Sequence, residues 1–199
     1  MSDRVCKLRP IVSVDLGFSA KKRSTGIAVL PVGGSALEPC QFTFGAAIGY
    51  VAQAIRSSKE GVIILESPLS ARFDGDGNPC PREFESRTIN GRKDTRYWYS
   101  GAGAAMMLAA HFFLRELDKK LTELQHNGRI HVFEGFLSFK TADSKDKRDA
   151  ERLLKRFLDL DGVRKVETKS GEKLVSVLDG LCVAEQSSAP PEIVFGDLN

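Results

Sequence analysis

The chain has 199 residues and a mass of 21.8 kDa, with 42% hydrophobic and 28% charged residues; these proportions suit one globular domain over 1–199 and argue against wholesale disorder. A net charge of +3 permits a nucleic-acid partner without arguing for one, because only local clustering does that. The four cysteines (Cys6, Cys40, Cys80, Cys182) form no C-x-x-C pair, no charged-then-apolar leader opens the chain, and the longest apolar stretch, around Ala102 to Leu114, is too short to span a bilayer; together these argue against a zinc ribbon, a secretory signal and a membrane role, and suit a cytoplasmic protein.

In chain order, residues 10–17 read as a buried strand, 18–24 as a polar basic turn, and Thr25–Leu30 as a second strand closing a hairpin. Gln41-Phe42-Thr43-Phe44 alternates apolar and polar, as a third, more exposed strand does. Ile48, Val51, Ala52 and Ile55 have helical spacing over 47–58, and a strand running to Glu66 follows. Residues 69–100, rich in Gly, Pro and Arg, read as a long inserted loop, of a length that is usually functional or disordered. Within it, Asp74-Gly75-Asp76-Gly77 reads as a turn, since the later ligands of a calcium loop are missing. A long helix is predicted over 102–126, a strand to Glu134, a charged amphipathic helix over 143–160 with Leu153, Leu154, Phe157 and Leu158 as its stripe, and a last helix over 174–188. The first three strands predict an antiparallel meander and the later ones parallel pairing with right-handed crossovers.

Three of these apolar strands end on an acid: Asp15, Glu66 and Glu134. A buried carboxylate is costly without a partner, a metal or solvent. Asp179 lies inside the predicted last helix among Leu178, Leu181 and Cys182, so it faces protein or a site rather than bulk water. Four carboxylates of this kind suit hard divalent ions, Mg²⁺ or Mn²⁺, which prefer oxygen ligands. For Glu134 a salt bridge to a nearby Lys or Arg is the competing reading, and His131 and His111 read as core or surface residues rather than bases.

The order β-β-β-α-β-α-β-α, with acids on strand one, strand four and the last helix, resembles the ribonuclease H-like superfamily. Val14-Asp15-Leu16-Gly17 with Thr25-Gly26-Ile27-Ala28-Val29 looks like its first hairpin, and Leu65-Glu66-Ser67-Pro68-Leu69 like the strand-four motif of a predicted-nuclease branch. Phe133-Glu134, then Arg152-Leu153-Leu154, follow that branch in order, while Leu178-Asp179-Gly180 departs from its Asp-Ala ending. The resemblance implies a mixed five-stranded sheet, three antiparallel strands plus two parallel, flanked by helices and carrying an insertion at about 69–100. It implies Asp15, Glu66 and Asp179 as metal ligands, Glu134 as a fourth ligand or supporting acid, and hydrolysis of DNA or RNA phosphodiesters.

Lys21, Lys22 and Arg23 sit in the first hairpin turn, where they read either as a phosphate clamp beside an acidic site or as a solvated loop. The insertion adds Arg72, Arg82, Arg87, Arg92 and Arg96, nearly balanced by Asp74, Asp76, Glu83, Glu85 and Asp94, then Tyr97-Trp98-Tyr99, which suits either stacked single strands or a staple that packs the insertion on the domain. Two rivals stand beside the nuclease reading: a module of the same fold that binds nucleic acid or protein without cutting, and a phosphotransferase of the actin-like class, for which one domain is too few. A protein partner or a homodimer stays open.

Overall fold

The structure is a computed structural model, and it describes residues 9–17, 23–95, 99–137, 146–159, 163–165, 168–176, 178 and 192–195. β1 (Ile11–Asp15), β2 (Thr25–Leu30) and β3 (Cys40–Phe42) form the antiparallel meander, joined in register as Val14↔Ile27 and Gly26↔Gln41. α1 (Phe44–Ile55) follows; the Thr43 Oγ1 accepts from the Ala46 amide at 3.4 Å, fixing its start. β4 (Glu60–Glu66) then lies parallel to β1, on the side away from β2. After α2 (Gly101–Glu123), β9 (Arg129–Phe136) pairs parallel with β4. No helix among the described residues is long and apolar enough to cross a membrane.

Two elements at the far side of the sheet have no counterpart in the sequence-based expectation. β12 (Ile193–Phe195) pairs parallel with β9, and the two-residue β10 (Val163–Arg164) pairs with β12, so the main sheet has seven strands among the described residues, ordered β10-β12-β9-β4-β1-β2-β3. Both strands are too short to show an alternation in sequence. The helix expected over 174–188 does not begin there. Residues 173–176 instead form β11 (Lys173–Ser176), antiparallel to β5 (Ser70–Phe73). Pairing across a hundred residues or more overrides the local helical reading of Leu174-Val175-Ser176, and Val175 is a strand-favouring residue.

The described residues of the segment 69–100 are structured as well. β5, β6 (Pro79–Cys80) and β11 form a small sheet, and the Asp74 carboxylate accepts the Asp76 and Asn78 amides at 3.0 and 2.8 Å in the turn between β5 and β6. A short 3₁₀ turn (Glu83–Glu85) leads into the hairpin of β7 (Ser86–Ile89) and β8 (Arg92–Thr95). Its two turn residues, Asn90 and Gly91, have φ of 49° and 73°, the two-residue turn whose twist matches that of the strands it joins.

Helices cover both faces of the main sheet. Val12, Val14, Ile63, Leu65 and Val132 pack with α1 and α2, including Phe113, Leu114 and Leu117. Ile11, Ala28, Val62 and Ile64 pack with α3 (Asp146–Leu158) through Ala150, Leu153, Leu154 and Phe157. Burial on both faces is why β1 and β4 read as near-continuous apolar runs. Each fully buried Ile or Leu contributes about 1.5–3 kcal/mol, so these two layers set the fold.

Candidate active site

Asp15 and Glu66 are register partners at the C-terminal ends of the parallel strands β1 and β4. Partners on adjacent strands point to the same face, about 4.8 Å apart. Both side chains belong to buried residues, 2% and 6% exposed. Their row on the sheet continues outward to Gly26 on β2 and Gly135 on β9, so two glycines flank two acids. Next to the pair the chain pinches: the Thr25 Oγ1 donates to the Gly17 carbonyl at 2.6 Å, and a Cβ on Gly17 would lie 2.0 Å from the Ser24 carbonyl oxygen. That closure fixes the backbone just beyond Asp15.

The flanking glycines admit α3. A Cβ on Gly26 would stand 2.1 Å from the Asp146 carbonyl oxygen, and one on Gly135 would stand 2.8 Å from Leu153 Cδ1. The helix therefore begins over β2 and crosses the acidic row toward β9. Gln41 Nε2 donates to Asp146 Oδ2 at 3.2 Å, tying the helix start to β3. Three residues of helix advance about 4.5 Å, close to one strand spacing, so the buried side of α3 has reached β1 by Asp149. Asp149 is 1% exposed, with the Arg152 guanidinium 3.6 Å from its Oδ1. It is a third buried acid, in the layer over Asp15 and Glu66, and the sequence reading missed it. The signal was there: Asp149-Ala150 continues the stripe of Leu153, Leu154 and Phe157 one turn back, putting an acid on an apolar face. Among the described residues no three His, Cys, Asp or Glu side chains gather closely enough to hold a metal ion. Asp179, expected as a ligand, lies outside the described residues.

Glu134 goes elsewhere. Its register partner is Leu65, one residue before Glu66, so it points to the opposite face of the sheet. There it is fully buried and gripped by Arg82, with Nη2 2.7 Å from Oε1 and Nη1 2.8 Å from Oε2. The Leu69 amide donates to Oε2 at 3.0 Å. Arg82 Nε also holds Glu85 Oε1 at 2.6 Å, the Arg82 amide donates to Glu85 Oε2 at 3.0 Å, and the guanidinium lies 4.6 Å from the Phe84 ring centre. Burial opposes the Arg82 charge, but Glu134 and then Glu85 outweigh it and its pKa is raised. Burial raises the Glu85 pKa against the pull of Arg82. The salt-bridge reading describes Glu134, and Arg82 faces inward rather than toward a ligand in solvent.

The other expected cations divide. Arg72 is turned inward, donating to the Pro81 carbonyl and lying 3.4 Å from Glu172. Arg23, Arg87 and Arg92 are exposed, Arg87 pairing with Asp94 at 3.5 Å. Lys21, Lys22 and Arg96 lie outside the described residues, as do Tyr97 and Trp98.

Neither family models, curated proteins nor solved structures give a match to this chain.

Proposed function

We propose that the protein is a ribonuclease H-like nuclease that hydrolyses phosphodiester bonds of DNA or RNA with Mg²⁺ or Mn²⁺. The observation that carries this reading is the buried, in-register pair of Asp15 and Glu66 at the ends of two adjacent parallel strands. The chain runs from β1 outward to β2 and β3, then returns to set β4 on the other side of β1. In open α/β sheets, ligands bind outside the carboxyl ends of strands at such a reversal. The strand order, a three-strand meander followed by parallel strands, supports the same fold.

The donor set fits a small hard cation. Mg²⁺ is held by one or two carboxylates, keeps several waters, and takes further oxygens from substrate phosphate. Asp15 and Glu66 would hold it, with Asp149 in the layer above. When bound, such an ion supplies activated water and offsets the charge on the phosphoryl oxygens. The two carboxylates face away from solvent, where electrostatic interactions are strong. The pinch at Gly17 fixes the backbone just beyond Asp15, and Arg23, just beyond the pinch, carries a cation to the rim for phosphate.

One observation favours the second reading, a module that binds nucleic acid or protein without cutting: among the described residues the acids do not gather in threes. One experiment separates the two. Purified protein with Mn²⁺ or Mg²⁺ is incubated with labelled single-stranded, duplex and branched DNA and RNA, beside Asp15→Asn and Glu66→Gln. The nuclease reading expects cleavage that each variant lowers at least ~100-fold, a loss of about 2.7 kcal/mol of transition-state stabilisation. Equal behaviour of wild type and variants across the panel refutes it, and binding that needs no metal then supports the module.

A further inference from the structure

We infer that the β7–β8 hairpin is an arm that enters the major groove of duplex DNA. The choice of a nucleic acid as polyanion rests on the function proposed above; the shape and charge of the arm stand apart from it.

The arm has a fixed root and a free tip. Its root follows directly on Arg82, whose guanidinium is buried against Glu134 and Glu85, and on Phe84, which packs edge-on to Phe136 at 4.8 Å. Those contacts bolt the root to β9, at the same end of the sheet as Asp15 and Glu66. Beyond the root, β7 and β8 pack chiefly on each other. Arg87, Thr88, Asn90, Gly91, Arg92 and Lys93 are all exposed, and they occupy both faces of the ribbon. An isolated two-stranded hairpin is marginal in water. Here the Asn90-Gly91 turn, the 2.9 Å bond between the Ser86 and Thr95 hydroxyls and the Arg87–Asp94 pair stiffen it. A stiffened ribbon whose tip, Asn90 to Lys93, is exposed is shaped for a partner.

Charge and width select that partner. The hairpin carries three cations against one carboxylate, and Arg92 and Lys93 at the tip have no carboxylate partner among the described residues. It contains no aromatic residue between Ser86 and Thr95, so it offers no platform for stacking unpaired bases. Two strands about 4.8 Å apart with their side chains fit a groove about 12 Å wide and not one of about 6 Å. The major groove of A-form RNA is too deep and narrow to admit side chains. B-form DNA is the polyanion that matches.

The test is metal-free binding, measured by fluorescence anisotropy in EDTA across a salt series. Because no cleavage is involved, failure of the nuclease reading leaves this measurement intact. For Arg92→Ala/Lys93→Ala, two lost phosphate contacts lower the slope of log affinity against log salt by about 1.8, or about 60-fold at 0.1 M salt. Asp94→Asn removes the only carboxylate of the arm, beside Arg87; binding tightens, by up to about 8-fold at 0.1 M for one added phosphate contact, a gain that misfolding cannot mimic. A DNA duplex bearing bulky glucosyl groups in its major groove binds weakly to wild type and no worse to the double variant. The inference is overturned if the double variant binds duplex DNA as wild type does, if it loses affinity equally for duplex RNA or single strands, or if wild type binds no duplex at low salt.

Discussion

Replacing Arg82 with Met removes the one cation in a buried cluster that also holds two carboxylates. Arg82 makes short contacts to Glu134 through both terminal nitrogens and to Glu85 through Nε, at 2.7, 2.8 and 2.6 Å, and all three side chains are almost wholly buried. Breaking a buried pair by removing one partner costs about 3–5 kcal/mol, because the remaining charge stays in a low-dielectric site. For a chain of this size 1 kcal/mol moves Tm by roughly 2–4 °C, so Arg82→Met melts about 6–20 °C below wild type at pH 7. The assay is urea and thermal unfolding followed by circular dichroism. A second arm fixes the cause. Placing Glu134→Gln and Glu85→Gln beside Arg82→Met removes the stranded charges, and most of the lost stability returns. pH supplies a third arm. The Glu85 pKa is raised by burial, so the folded chain takes up this proton more readily than the unfolded one. Its contribution is complete below the ordinary glutamate range and fades as pH rises through the raised value. With Arg82 gone Glu85 is harder still to keep ionised, and the deficit of Arg82→Met narrows as pH falls toward that range. An Arg82→Met protein within about 1 kcal/mol of wild type at pH 7, or one whose penalty is unchanged beside Glu134→Gln, refutes the reasoning.

Gly26→Ala puts a methyl group onto the backbone of Asp146, so unfolding measurements show a loss of at least about 1–3 kcal/mol, with cleavage reduced alongside as α3 shifts off the acidic row. Asp149→Asn lowers cleavage while leaving Tm within about 3 °C of wild type, read by the substrate panel and differential scanning calorimetry. Mn²⁺ at ten times its dissociation constant stabilises wild type by about 1.4 kcal/mol, a rise of about 3–6 °C in Tm that Asp15→Asn lacks. Burial, and then the nearby Arg9, lower the His131 pKa, so the folded chain binds this proton less readily than the unfolded chain; stability present above the ordinary histidine value is lost as pH falls through and below it, and His131→Gln flattens that part of the urea-midpoint profile against pH.

The legible parts of the fold were those whose burial repeats along the chain. β1, β4 and α3 announce themselves because each packs one or two apolar faces over several residues. β12 and β11 do not, because three or four residues leave no period to read and their partners, β9 and β5, are distant in sequence. The same limit shaped the site. Asp15 and Glu66 stood out as acids ending apolar runs, and their register unites them. Glu134 looked equivalent in sequence, yet a shift of one residue in register turns it to the other face, where Arg82 receives it. A one-residue offset between parallel strands has no signature in a single strand. Asp149 was hidden for the opposite reason: it sat in a helix whose charged composition drew attention away from the side that is buried.

β12 sits between β9 and β10, so the sheet cannot be finished until residue 195 has left the ribosome. At about 5–20 residues per second, reaching that point takes about 10–40 s. For the last part of that time, from Phe136 to Phe195, about 3–12 s, β9 is an apolar strand with one unpaired edge, a template for pairing with a neighbouring nascent chain. Arg82 gains a further significance on that clock. By clamping Glu134 and packing Phe84 on Phe136, the segment after β4 anchors the end of the open strand before β12 arrives.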